Sequence, residues 1–154
     1  MTEDILVRPI GVVRGPRTEA VDDGWDAIES AIELDRRFGP DALAGLEDFS
    51  HIEVLFVFDR VAETAVETGA RHPRERTDWP KVGIFAQRGR TRPNRLGATV
   101  CPLLRIAETT LFVRGLDAID GTPVLDIKPV MRGFLPRGAV REPDWSRELM
   151  QGYW

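Results

Sequence analysis

A chain of 154 residues can form one domain with its own core, since a domain of this size buries roughly 70% of the surface its unfolded chain exposes. With 42% hydrophobic and 30% charged residues it is no disordered polyelectrolyte, and a net charge of -4 argues against a protein that coats nucleic acid through many Lys/Arg contacts to phosphate. One cysteine, Cys101, and two histidines, His51 and His72, exclude an intrachain disulfide and an ordinary zinc site.

The opening MTEDILVRPIG has no basic segment ahead of an apolar one, and the longest apolar run, around VLFVF, is far short of the ~20 residues that span a bilayer. A cytoplasmic protein without a membrane anchor is expected. Ile5 to Val13 is apolar and β-branched with Pro9 and Gly11 inside it, which predicts an edge or bulged strand. RGPRTEAVDDGWD then reads as a long polar loop. In AIESAIELD, residues Ile28, Ser30, Ile32 and Leu34 alternate with Glu29, Glu33 and Asp35, the period of a half-buried strand, although Ile28, Ala31 and Ile32 would also share a helix face. Pro40 to Gly45 reads as a single helical turn.

HIEVLFVFD is apolar on both parities from Val54 to Phe58, as in a central strand covered on both faces. RHPRERTDWPKV follows as a charged, proline-bearing loop. VGIFAQ, GATVCPLLRI, TTLFVRGL and PVLDIKPV read as further strands separated by turn-forming residues. Near the end, Asp144 is placed to cap a short helix carrying Trp145 and Leu149 one turn apart. About seven short strands with few helices predict a mainly β single domain over residues 1–154, a barrel or a sandwich.

Two stretches carry chemistry. In RGRTRPNRLG, residues 88 to 97, Pro93 fixes its own φ and pushes Arg92 extended, Asn94 tolerates left-handed geometry and Gly97 permits close backbone approach. Arg88, Arg90, Arg92 and Arg95 on that rigid corner could hold carboxylate or phosphate oxygens, or form a solvated basic turn. In LDAIDGTPVLDIKPV, Asp120-Gly121 is a turn leading into a strand on which Val124, Asp126 and Lys128 share one face and Leu125 and Ile127 the other. Asp117 or Asp120 could accept hydrogen bonds from a ribose diol; the aspartates could instead hold magnesium in a phosphohydrolase, and Asp126 with Lys128 could be no more than an exposed ion pair. No GxGxxG, P-loop, GxSxG or HExxH motif is present, which removes support from Rossmann enzymes, NTPases, serine hydrolases and zincins, and His51 reads as structural.

Taken together, IGVVRGP, LEDFSHIEVLFVFDR, GIFAQRGRTRPNRLGATV and GLDAIDGTPVLDIKPV resemble the TsaA-like (TrmO) family of tRNA N6-threonylcarbamoyladenosine methyltransferases, over most of residues 9 to 130. The resemblance implies a small antiparallel or mixed β-barrel with short helices, binding S-adenosyl-L-methionine, acting on tRNA and working as a homodimer. It implies that Arg88 and the Arg92-Pro93-Asn94 corner, closed by Gly97, form one wall of the cofactor pocket, and Asp117 with Asp120, Gly121, Thr122 and Pro123 another. Arginine suits the cofactor's carboxylate, aspartate its ribose hydroxyls and turn amides its adenine edge. Because the sulfonium already carries an activated methyl group, no protein nucleophile is needed. The acceptor N6 must lose a proton, and Asp126 is the candidate base. The sequence departs from the family at Asp59, where many relatives carry histidine, at Val130, where tyrosine is common, and in lacking the C-terminal extension of longer tRNA-acting members. Cofactor binding is expected to survive these departures better than tRNA specificity; a nonenzymatic ligand- or RNA-binding barrel, or a methyltransferase for another nucleotide or small molecule, is the alternative.

Overall fold

In the computed structural model, which describes residues 2–154, the chain closes one antiparallel barrel. Its elements are β1 (Gly11–Arg14), β2 (Glu29–Leu34), β3 (His51–Val57), β4 (Ala70–Arg71), β5 (Val82–Gly83), β6 (Leu96–Ala107), β7 (Thr110–Arg114), β8 (Pro123–Pro129) and the helix α1 (Asp144–Leu149). The barrel order is β1-β2-β7-β6-β3-β8, with β8 returning to β1, while β4 and β5 form a separate ribbon. Closure leaves none of the six strands with an unpaired edge.

Alternation decides which residues fill the barrel. On β3, Ile52, Val54 and Phe56 point inward and are buried, and Ser30 and Ile32 do the same on β2, which settles that segment as a strand. Val13, Cys101, Leu111, Val113 and Val124 complete the interior. Leu55 and Val57, on the outer face of β3, are only half-buried, so the expected two-sided covering of this strand is not found. A single-layer barrel has one inside, so the outer face of β3 stays partly open.

Four local expectations are corrected. Ile5, Leu6 and Val7 are exposed and outside any strand; pairing begins at Gly11, where a Cβ would stand 2.5 Å from the Glu33 carbonyl oxygen. Only Val82 and Gly83 of VGIFAQ pair, because the chain turns into a 3₁₀ turn at Ile84–Ala86, and the Gln87 side chain then closes the ribbon by donating to Arg71 O and Val82 O. The N-cap of α1 is Pro143, with Asp144 the first helical residue and its carboxylate paired to Arg147. On β8, Val124 pairs with Phe56 and Asp126 with Leu55, leaving Leu125 as a bulge. Val124 and Ile127 therefore pack with the core while Asp126 and Lys128 point out, so Val124 does not share their face. Among the described residues, no helix is long and apolar enough to cross a membrane.

The antiparallel register gathers the chemistry at one end. Arg14 lies across from Ala31, Glu29 from Arg114, Val57 from Leu96 and Phe56 from Val124, so the loops 15–28, 58–95 and 115–122 all leave the barrel on the same side. The tight turn at Glu108 and the start of β3, with His51, lie at the other end.

Candidate cofactor site

The arginine corner runs into β6 and the Asp-Gly turn into β8, and both strands pair with β3, so the two motifs flank the exit of one strand. The residues after β3 tie them together. Phe58 N donates to Arg95 O at 2.8 Å, and Arg60 donates to Asp120 O at 3.0 Å and Thr18 O at 2.9 Å. Arg60 was not singled out by the sequence, which holds no local signal for a contact spanning 60 residues.

The corner has the predicted backbone. Arg92 is extended at φ -100, ψ 158, and Asn94 is left-handed at φ 61. Arg95 is also left-handed, φ 52, a conformation that non-glycine residues adopt at a cost, and its guanidinium holds it there by donating to Val61 O at 2.6 Å. Arg92 donates to Gln87 O and Arg88 to Ala98 O, each at 2.6 Å, so one guanidinium nitrogen of each fixes the loop while others stay available. Arg88, Arg90 and Asn94 are exposed. Arg71 Nε and Thr91 Oγ1 beside them are buried with no protein partner, and a Cβ on Gly89 would come within 2.9 Å of Arg71 Nη2. Gly97 lies against Phe56, where a Cβ would stand 2.4 Å from the ring.

On the second wall the aspartates divide. Asp120 accepts from Gly15 N at 3.2 Å; Gly121, at φ +84, donates to Val13 O at 2.8 Å; Thr122 closes onto Ile119 O through both its amide and its hydroxyl. These residues, with Pro123 at the head of β8, lock the turn to β1. Asp117 is built differently: Thr99 of β6 donates to one carboxylate oxygen and Tyr153, from the segment after α1, to the other. Burial, and secondarily the Asp117 charge, push the Cys101 thiol up to about 12. Burial first, then the Asp117 charge and hydrogen bond, push the Tyr153 phenol upward and keep it a donor.

Asp126 is near this end, paired with Leu55 of β3, but turned away from the barrel interior. It lies on the outer face, 2.9 Å from Lys128 Nζ, and accepts from Ile127 N at 2.9 Å. Among the described residues, no group of three His, Cys, Asp or Glu is placed to hold a metal.

An acceptor carboxylate at Asp117, guanidinium donors at the corner and two unpartnered buried polar atoms beside it match a ligand with both a carboxylate and hydroxyls. Fold and site together define a closed antiparallel β-barrel whose two strand-flanked turns meet at one end, an architecture unlike the parallel-sheet nucleotide folds. The chain belongs to the tRNA-methyltransferase O N-terminal domain family, whose sequence model matches residues 16–134. A probable S-adenosyl-L-methionine-binding protein of Methanothermobacter thermautotrophicus is 41% identical over 130 residues, covering 82% of this chain and 90% of that protein. The tRNA (adenine(37)-N6)-methyltransferase of Escherichia coli is 36% identical over 152 residues, 92% of this chain and 62% of that enzyme. A crystal structure of TrmO from Pseudomonas aeruginosa superposes with a TM-score of 0.76 at 29% identity, covering 94% of this chain and 63% of that one. The chain thus spans under two thirds of the length of these two enzymes.

Proposed function

We propose that the chain is a non-Rossmann, S-adenosyl-L-methionine-dependent methyltransferase acting on N6 of adenosine in tRNA, with threonylcarbamoyladenosine as its acceptor and a homodimer as its working unit. The observation that carries this reading is the convergence of the arginine corner and the Asp117 to Pro123 turn on the exit of β3. Arg88 and Arg92 hold the cofactor's carboxylate, Asp117 its ribose hydroxyls, and Asn94, at the exposed tip of the corner, offers both donor and acceptor to the base. Asp120, Gly121 and Thr122 shape this wall through their ties to β1. The bound cofactor supplies an activated methyl group; the protein aligns the acceptor, excludes water and supplies electrostatics.

Arginines 60, 71, 74, 76, 88, 90, 92 and 95 all lie in the 58–95 loop at this end, which supports an anionic acceptor despite the acidic net charge. A shallow, solvent-open groove lined by Arg17, Thr18, Glu19, Val21 and Asp23 lies beside the Asp120 turn. The proton on N6 needs an acceptor, and the position of Asp126 on the outer face of β8 leaves it that role only across an interface with a second copy.

The test is incubation with S-adenosylmethionine and tRNA carrying or lacking the threonylcarbamoyl group. Formation of S-adenosylhomocysteine with the modified tRNA alone is expected. Cofactor at 100 times its Kd should also stabilise the fold by about 2.7 kcal/mol in thermal melts. No melting shift at millimolar cofactor defeats the reading; a shift without S-adenosylhomocysteine leaves a binding barrel instead.

A further inference from the structure

We propose that Tyr153 is a positioning residue for Asp117, and that the segment from Asp144 to Trp154 forms a wall of the cofactor site by fixing the Asp117 carboxylate for the ribose hydroxyls. This rests on the methyltransferase reading above and assigns it a residue outside both sequence motifs and outside the 16–134 match.

The segment is docked at the site end by specific contacts. Gly24 N donates to Gly152 O and Trp25 N to Tyr153 O, both at 2.9 Å, and Trp79 Nε1 donates to Glu148 Oε2 at 2.7 Å. Gly152, at φ +77, makes the turn that sends the Tyr153 ring inward, where it packs edge-on against Trp154 with ring centroids 4.8 Å apart. With its backbone already anchored, the segment spends the Tyr153 hydroxyl on a carboxylate of the cofactor turn. Thr99, nearly buried on the inward face of β6, takes the other oxygen, so the carboxylate is clamped from both sides by uncharged donors.

A carboxylate offers about four lone-pair sites, and this clamp uses one on each oxygen. The remaining ones can accept from a diol without the carboxylate having to be ordered at the moment of binding. Preorganisation of this kind lowers the entropic cost of association rather than adding a contact. No proton need move, since the phenol is held neutral by burial and by the charge of Asp117.

Calorimetry with S-adenosylhomocysteine and with its 2′,3′-dideoxyribose analogue tests the assignment on binding alone. Tyr153→Phe, which removes one oxygen, should weaken S-adenosylhomocysteine about three- to tenfold, and Thr99→Val, acting on the opposite oxygen, should do the same. Neither change should weaken the dideoxy analogue further, and Tyr153→Phe should cost nothing more in an Asp117→Asn background. Circular dichroism identifies a variant that fails to fold, and the other then carries the test. Unchanged S-adenosylhomocysteine affinity in both variants, or equal losses for the two ligands, overturns the positioning role and leaves the methyltransferase reading standing. No binding by the wild-type protein overturns both.

Discussion

Gly97 shows how tightly a single atom is specified. Its Cα faces the Phe56 ring, and a methyl group there would stand 2.4 Å from one ring carbon and 2.5 Å from the next. Phe56 is 1% exposed inside the barrel and has nowhere to swing. Gly97→Ala should therefore destabilise the fold by about 1–3 kcal/mol, read from the urea midpoint, with no contribution from backbone strain. Cys101 and Tyr153 make a second prediction at this scale. Each binds its proton more tightly folded than unfolded, the thiol moving from 9.0 to about 12, so the folded state holds more protons above pH 9. Their contribution is intact below pH 9 and is lost as pH rises towards 12. Urea melts between pH 8 and pH 11 should show stability falling, and Cys101→Ala or Tyr153→Phe should flatten the slope.

At the scale of elements, α1 is six residues long, too short to persist without packing, and Glu148 ties it to the body of the protein. Glu148→Ala removes the acceptor of the buried Trp79 indole and should cost about 1 kcal/mol, with a change in tryptophan fluorescence reporting the released ring. The contrast between this segment and the arginine corner explains what the sequence could reveal. Pro93, Asn94 and Gly97 act on their own backbone or on an adjacent strand, so the corner was legible from residue type. The Tyr153–Asp117 and Arg60–Asp120 contacts join residues 36 and 60 apart, and residue type carries no trace of either. Alternation found β2, β6, β7 and β8 but counted Leu125 as an ordinary strand residue, which put Val124 on the wrong face. It also made a strand of VGIFAQ, since a pattern cannot show that its partner is only two residues long.

For the whole molecule, the outer face of β6 is unusual. Leu96 and Val100 stand on it 42% and 49% exposed, Leu104 at a bulge further along the strand is 42% exposed, and Ile5, Leu6 and Phe134 are more exposed still. Apolar side chains repeated along one strand face mark a surface that is covered in use. A C2 homodimer through this face is the expected state, and light scattering at micromolar concentration should give twice the chain mass. Val100→Asp should yield a folded monomer with weakened S-adenosylhomocysteine binding if the second copy completes the site. A wild-type monomer with full cofactor affinity defeats the coupling.

The bulge at Leu125 works like a comma in the spacing of β8, resetting which side every later residue faces. Substitutions there keep the spacing, and deleting Leu125 would place Asp126 directly after Val124, restoring simple alternation with Asp126 still out and Ile127 still in; removing Ile127 instead leaves a charged neighbour to take the inward place opposite Val54. The barrel should therefore tolerate both changes of identity at position 125 and loss of that residue, but not loss of Ile127. A deletion scan across residues 123 to 129 would locate that boundary, with folding kept when Leu125 is removed and lost when Ile127 is.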